Sequence, residues 1–190
     1  MADPVTATAA ARRLADALEQ AGVPYAIGGA IALGLHAPPR ATNDVDLNIF
    51  LDADAADPGL DALESAGCSF DRQAAMASAR ATGEFKASWN GLRVDVFVSS
   101  IDLHRKAKGR VRTAVLGGRA LKVLSPEDLA VLKMLYFRPK DMLDLELLVA
   151  FAKRTLDLDS IRTDLVAEVG EDDPRVERWD RIVREFGTGS

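Results

Sequence analysis

The feature that most constrains this fold is a run of alternating side chains at residues 44–51, with the sequence DVDLNIFL. Alternation with period two predicts a β-strand that has one face in a core. Residues 93–98, RVDVFV, repeat the pattern, with valines on one face and Asp95 on the other. The chain must therefore contain a sheet, and its two most regular strands both carry aspartate.

Glycine-containing turns add further strands to this sheet. Asn90-Gly91, a pair that strongly favours a two-residue hairpin turn, separates two apolar runs, and Gly117-Gly118 separates two more. The predicted strands are residues 25–28, 44–51, 84–89, 92–98, 113–116 and 120–124.

Helical patterns dominate the chain after Ser125-Pro126. We therefore predict an α/β (α+β) fold, with a mixed sheet core and helices in residues 1–124. A helical C-terminal portion, residues 125–190, is expected to pack on this core, and its last residues, 187–190, to fray. The predicted helices are residues 6–21, 30–35, 60–66, 126–137, 140–153, 158–168 and 174–186.

Composition narrows the class of protein. Apolar residues make up 48% and charged residues 28%, and no apolar run reaches the roughly 18 residues of a membrane span. Residues 1–20 form an amphipathic pattern without the uninterrupted apolar stretch of a signal peptide. Cys68 is the only cysteine, which excludes a disulfide framework. These features predict a cytoplasmic protein without a membrane partner.

The distribution of charge is uneven. The formal net charge is −5, which argues against a general nucleic-acid coat protein. Residues 105–112, RKAKGRVR, nevertheless contain five cations. This basic run fits a solvated loop or turn as well as it fits a patch that contacts phosphate.

Three aspartates on the two alternating strands are candidates for chemistry. Asp44 and Asp46 project on the same face of a strand, and Asp95 joins them if the two strands are neighbours. Three adjacent carboxylates repel one another unless a cation neutralises them, and their oxygens suit Mg²⁺. A solvated sheet face is the alternative, although aspartate is depleted in strands. We therefore predict a metal site at these aspartates.

Other groups are candidates for binding phosphate. A glycine pair ends a strand and opens a helix, so bare amides can approach a phosphate there, although a tight corner is the bland alternative. Basic and hydroxyl groups precede the Asp-x-Asp strand or flank Pro139, where a solubilising role is equally compatible. These candidates are Gly28, Gly29, Arg40, Thr42, Arg138 and Lys140.

Lys133 lies in a helix that is apolar on all sides except at this residue. A buried ammonium is costly unless it is paired or reaches water. Lys133 must therefore extend to solvent, meet a carboxylate such as Asp141 or Asp144, or reach a ligand phosphate.

The motif Gly28-Gly29, followed by Asp44-Val45-Asp46 and later by Asp95, resembles the signature of the DNA polymerase β-type nucleotidyltransferase superfamily. A closer resemblance, to the nucleotidyltransferase toxins of abortive-infection and type IV toxin–antitoxin systems, rests on the run from Leu124 through Lys133 to Asp144. Together these motifs cover about residues 25 to 150.

The resemblance implies a nucleotidyltransferase fold and a two-metal reaction. Asp44, Asp46 and Asp95 would hold two magnesium ions, and a nucleoside monophosphate would pass from a nucleoside triphosphate to an acceptor hydroxyl with release of pyrophosphate. Lys133 would be a functional lysine, and Asp144 would pair with it or contact substrate.

The acceptor and the partners stay open at this point. An RNA end such as a tRNA acceptor stem, a protein hydroxyl and a small molecule are all compatible with the motifs, and a toxin would have a cognate antitoxin protein. Two alternatives share the same core. One is a non-catalytic nucleotide- or protein-binding module, and the other is a small-molecule adenylyltransferase resembling the aminoglycoside-modifying enzymes.

Overall fold

The alternating segment at Asp44 forms the long strand in the middle of a seven-stranded sheet. The computed structural model describes residues 5–187. The strands are β1 Tyr25–Ile27, β2 Asp44–Asp52, β3 Cys68–Ser69, β4 Glu84–Trp89, β5 Leu92–Ser99, β6 Arg112–Leu116 and β7 Arg119–Val123. Their spatial order is β3-β4-β5-β2-β1-β7-β6.

The sheet is mixed, as predicted. β2 pairs in parallel with β5 on one side and antiparallel with β1 on the other. β1 pairs in parallel with β7, and the remaining pairs, β3 with β4, β4 with β5 and β6 with β7, are antiparallel. The Asn90-Gly91 turn joins β4 to β5, and Asn90 adopts the left-handed conformation that such turns require.

Helices flank the strands in the first part of the chain and replace them after residue 125. They are α1 Ala7–Gln20, α2 Gly29–Leu33, α3 Asp57–Ser65, α4 Arg72–Thr82, α5 Asp102–Arg110, α6 Pro126–Tyr136, α7 Pro139–Ala152, α8 Leu158–Val169 and α9 Pro174–Ile182. A 3₁₀ turn at Ala53–Ala55 and a π-helical turn at Val183–Gly187 complete the described residues.

The described residues form two compact units. One, the α/β unit, contains residues 5–31 and 40–124, and the other, the helical unit, contains residues 32–39 and 125–187. In the α/β unit, the apolar face of α1 is buried through residues such as Leu14 and Leu18. In the helical unit, α6 is packed by α7, α8 and α9, and Ser125 caps its first turn by accepting from the Asp128 N–H.

Two helices were not expected from the sequence. The basic run at 105–112, for which a solvated loop or turn was one of two interpretations, lies mostly in α5 and not in a loop. Leu103 and Ala107 are four residues apart and buried, which anchors the helix while Arg105, Lys106 and Lys108 are exposed. α4 is similarly held by Ala75 and Ala79, and Asp71 caps its N-terminus.

Two further observations bear on the predictions. No helix among the described residues is long and apolar enough to span a membrane. The segment 188–190, most of the tail predicted to fray, lies outside the described residues, as do residues 1–4.

Candidate active site

The parallel pairing of β2 with β5 brings the predicted aspartates together. Asp46 is the direct partner of Asp95 in the register, and Asp44 is the partner of Arg93. The intervening residues, Val45, Leu47, Val94 and Val96, are fully buried on the opposite face. The side chains of Asp44 and Asp95 are about one-fifth exposed. The expectation that Asp95 stands beside the Asp-x-Asp pair is thus confirmed as geometry.

The glycine pair makes room for one of these carboxylates. Gly29 has a φ of +56°, and a Cβ placed on it would overlap the carboxylate of Asp46. The Gly28 N–H donates to the Asp46 carbonyl at 2.8 Å. Because α2, which starts at Gly29, is only five residues long, the clearest role of this glycine is to let the chain pass close to Asp46. Contact with a nucleotide stays a prediction.

Two cations that we did not select from the sequence neutralise part of this cluster. Arg93 donates to Asp44 Oδ2, and its Nε lies 3.2 Å from Asp95 Oδ2. Lys86, the register partner of Asp95 on β4, places Nζ 3.8 Å from Asp95 Oδ1. The sequence did contain a signal, because Arg93 is two residues from Asp95 and the Asn-Gly turn sets the register of Lys86.

The cluster has the donor chemistry of a divalent-cation site, although its side chains are not arranged around an ion. Oδ1 of Asp95 is buried and has no hydrogen-bond partner, which is costly for a carboxylate oxygen. Within residues 5–187, no three His, Cys, Asp or Glu side chains are arranged so as to hold a metal ion. The backbone register is suitable, but Arg93 already bonds to both Asp44 and Asp95, so a metal would require that guanidinium to move.

The segment before β2 holds two of the predicted nucleotide-binding residues. Thr42 donates through Oγ1 to Asp44 Oδ1, which fixes the orientation of that carboxylate. Arg40 lies nearby in sequence and is exposed. Neither arrangement tests nucleotide binding, so both assignments stay predictions.

Lys133 lies in a second ionic cluster, inside the helical unit. Its Nζ is 2.6 Å from Asp144 Oδ2 and 3.4 Å from Asp141 Oδ1, and all three residues are buried. Arg138 completes the cluster through its Nε, which is 2.6 Å from Asp141 Oδ2, and its guanidinium stacks over the Tyr136 ring. Of the three alternatives for Lys133, the structure contains the pairing with carboxylates.

The remaining predicted residue of this unit is more open. Lys140 is exposed in the first turn of α7. The assignments of Lys133 as catalytic and of Arg138, Lys140 and Asp144 as nucleotide-binding stay predictions, because the ion pairs do not decide whether a phosphate also binds there.

Burial shifts the pKa of two side chains outside these clusters. Burial raises the pKa of the Cys68 thiol to about 11, which keeps it protonated and unsuited to be a nucleophile. Burial also lowers the pKa of His104 to about 4, and its Nδ1 accepts from the Ser100 N–H at 3.3 Å. Both residues are therefore buried structural side chains of the α/β unit.

A family model matches most of the chain. Residues 7–179 match the family described as nucleotidyl transferase of unknown function (DUF2204). This protein belongs to that nucleotidyltransferase family. The expected relationship to nucleotidyltransferases is confirmed, and the closer resemblance to the nucleotidyltransferase toxins stays a prediction. No curated protein matches the chain at a significant level.

Solved structures place this family member in the nucleotidyltransferase fold. The antibiotic-resistance factor ANT(2'')-Ia is similar with a TM-score of 0.59 and 16% identity, over 84% of this chain and 89% of that protein. ANT(2'')-Ia in complex with adenylyl-2''-tobramycin gives a TM-score of 0.54 and 18% identity, over 94% and 98%. A candidate nucleotidyltransferase from H. pylori gives 0.54 and 14%, over 95% and 93%. At these identities the similarity establishes the fold alone.

Proposed function

We propose that this protein transfers a nucleoside monophosphate from a nucleoside triphosphate to an acceptor hydroxyl, with Mg²⁺ bound by Asp44, Asp46 and Asp95. The observation that carries the proposal is the register that places Asp46 directly beside Asp95. The close approach of Gly29 to Asp46 and the unsatisfied Oδ1 of Asp95 support it. Membership of a nucleotidyltransferase family supplies the reaction class.

The reaction would proceed by displacement at the α-phosphorus. The acceptor oxygen forms the new bond to that phosphorus, the bond to the leaving pyrophosphate breaks, and the hydroxyl proton passes to Asp95. Divalent ions at the cluster would stabilise the attacking and leaving oxygens. Thr42 holds the Asp44 carboxylate in one orientation. Most of the rate enhancement would then come from positioning and charge stabilisation.

The acceptor is the finer part of this proposal. The basic run could contact the phosphates of an RNA end, but α5 follows the last residue of β5, Ser99, roughly 13 Å along the strand from Asp95 at about 3.3 Å per residue. One of its cations, Arg105, pairs with Asp102 and lies 3.9 Å from Asp52 at the far end of β2. The basic run therefore gives no direct support for RNA held at the carboxylates.

Two acceptor classes follow. A small-molecule hydroxyl is supported by fold similarity to ANT(2'')-Ia, which has been seen with adenylyl-2''-tobramycin. An RNA end, with a toxin role and an antitoxin partner, is supported by the sequence resemblance from Leu124 to Asp144. We propose the transfer reaction itself and treat the acceptor class as a result of the assay.

The test is a transfer assay with Mg²⁺, each α-labelled nucleoside triphosphate, and total RNA, a soluble lysate or tobramycin as acceptor. We expect label to enter one acceptor class and to be lost in Asp46→Asn. The matched control is Asp52→Asn, which removes an exposed carboxylate from the far end of the same strand. Equal loss in both variants would contradict a specific role for the cluster.

A non-catalytic binding module is the second candidate, and one observation favours it. Arg93 already compensates two of the carboxylates, as expected of a cluster that no longer needs a metal. Binding of a magnesium nucleotide without release of pyrophosphate, for every nucleotide and acceptor tried, would support this alternative over catalysis.

A further inference from the structure

We propose that Arg93 changes partners during binding: it holds Asp44 and Asp95 in the free protein and binds the polyphosphate of the nucleotide once metal has displaced it. Metal and nucleotide would then bind with positive coupling. Arg93 weakens the binding of metal alone, and it strengthens the binding of nucleotide once metal is present. This inference rests on the proposed function, since it takes the three aspartates as the metal site.

The first step of the argument is the charge of the cluster. Asp44, Asp46 and Asp95 carry three negative charges, and Arg93 and Lys86 supply two positive charges within 4 Å of them. These cations lower the free energy of the carboxylates before any metal binds, so a divalent ion must compete with them. Arg93 is the stronger competitor, because it contacts two carboxylates while Lys86 contacts one at 3.8 Å.

The second step is that Arg93 can leave. Its side chain is half exposed, and exposed ion pairs are worth at most about 1 kcal/mol, so a ligand of higher charge can replace it. Asp95, by contrast, is held on the strand between two buried valines, Val94 and Val96. The carboxylates therefore stay in place while the guanidinium moves.

The third step concerns where the guanidinium goes. Two divalent ions bring four positive charges to the three negative charges of the aspartates, so a displaced cation is repelled unless an anion arrives with the metal. A nucleoside triphosphate brings that anion to the same place. Arginine suits it, because its planar guanidinium can donate two hydrogen bonds to one phosphate.

The experiment measures two affinities whose changes have opposite signs. Mn²⁺ binding is followed by electron paramagnetic resonance without nucleotide, and binding of α,β-methylene ATP is measured at saturating Mn²⁺ by calorimetry. In Arg93→Ala we expect Mn²⁺ alone to bind about five-fold more tightly. We expect the nucleotide to bind about ten-fold more weakly, from the loss of a charged phosphate contact.

Two other variants make the result specific. Arg93→Lys keeps the charge without the bidentate geometry and should lie between wild type and Arg93→Ala for both affinities, and it also serves if the alanine variant folds poorly. Arg80→Ala removes another exposed, ion-paired arginine of the same unit, which contacts Asp54, and should change neither affinity.

Several outcomes would overturn the inference. Unchanged or weaker Mn²⁺ binding in Arg93→Ala would show that Arg93 does not compete with metal. Unchanged nucleotide binding would show that it does not move to the phosphates. Asp46→Asn separates this failure from failure of the proposed function: if that variant binds Mn²⁺ normally, the cluster itself is not the metal site.

Discussion

The two ionic clusters of this protein use the same residue types in opposite ways. In the α/β unit, two half-exposed or exposed cations, Arg93 and Lys86, lie beside the three carboxylates, and Oδ1 of Asp95 is buried without a hydrogen-bond partner. In the helical unit, Lys133 and Arg138 pair with two carboxylates, Asp141 and Asp144.

Burial reinforces the difference between the clusters. Asp141, Asp144 and Lys133 are each at most 5% exposed, and each is ion-paired with another member of the cluster. Such a closed cluster can fix the packing of α6 against α7 without a ligand. The open cluster, formed by Asp44, Asp46, Asp95, Arg93 and Lys86, is more exposed, so burial separates this candidate binding site from a structural ion pair.

The largest expected effect is on activity at the open cluster. If the aspartates bind Mg²⁺ as proposed, Asp46→Asn should lower nucleotidyl transfer by about 10³-fold or more, because it removes one charged ligand of the metal. Steady-state kinetics of the variant and of the Asp52→Asn control check this, and transfer at the wild-type rate in Asp46→Asn would contradict it.

Changes in the closed cluster, formed by Lys133, Arg138, Asp141 and Asp144, should lower the free energy of unfolding. Lys133→Met removes the ammonium that pairs with two buried carboxylates, and we expect a loss of about 3–5 kcal/mol in the free energy of unfolding. The double variant Lys133→Met/Asp144→Leu should lose less, because it removes a charge of each sign. Denaturant unfolding of both proteins checks this. A stable Lys133→Met variant with impaired transfer would instead assign Lys133 to the reaction.

Lowering the pH should reduce the free energy of unfolding of the α/β unit, because burial opposes the protonation of His104 in the folded protein. Its pKa of about 4 in the folded protein is below the ordinary value of 6.5, so the unfolded chain binds more protons between these values. Stability should therefore be fully present above about pH 6.5 and fall by at most about 3 kcal/mol as the pH drops to about 4. His104→Gln, which can still accept from the Ser100 N–H, should flatten this part of the stability profile.

The smallest effect tests the close approach of the glycine to the open cluster. Gly29→Ala should cost about 1–2 kcal/mol from its positive φ and, in addition, move the Asp46 carboxylate and weaken Mn²⁺ binding. Gly22→Ala is the control, because Gly22 has a φ of +66° but nothing lies within 4 Å of its added Cβ. Equal Mn²⁺ affinity in the two variants would show that Asp46 tolerates the change.

Sequence reasoning reached the open cluster because strand periodicity is local. The alternation at residues 44–51 and 93–98 fixed which side chains share a face, and one assumption, that β2 and β5 are neighbours, completed the geometry. The ion pairs of Arg93 were not reached, because they depend on side-chain rotamers and on the register between strands. The sequence predicted a metal site there but could not show what neutralises it in the free protein.

The sequence was less informative where tertiary packing determines the structure, as for the partner of Lys133 and for two of the helices. It left three alternatives for Lys133, since the choice depends on how α6 meets α7. It missed α4 and α5, in which small buried residues such as Ala75 and Ala107 replace the large apolar side chains that make a helical pattern conspicuous.

The parallel pairing of β2 with β5 also determines when, during synthesis, the three aspartates can come together. Parallel strands need a long crossover, here residues 53–91 with α3, β3, α4 and β4, and closing so long a loop is slow. Asp44 and Asp46 therefore emerge from the ribosome well before the strand that brings Asp95 to them. Translation products that stop before β5 contain the Asp-x-Asp motif but have no site.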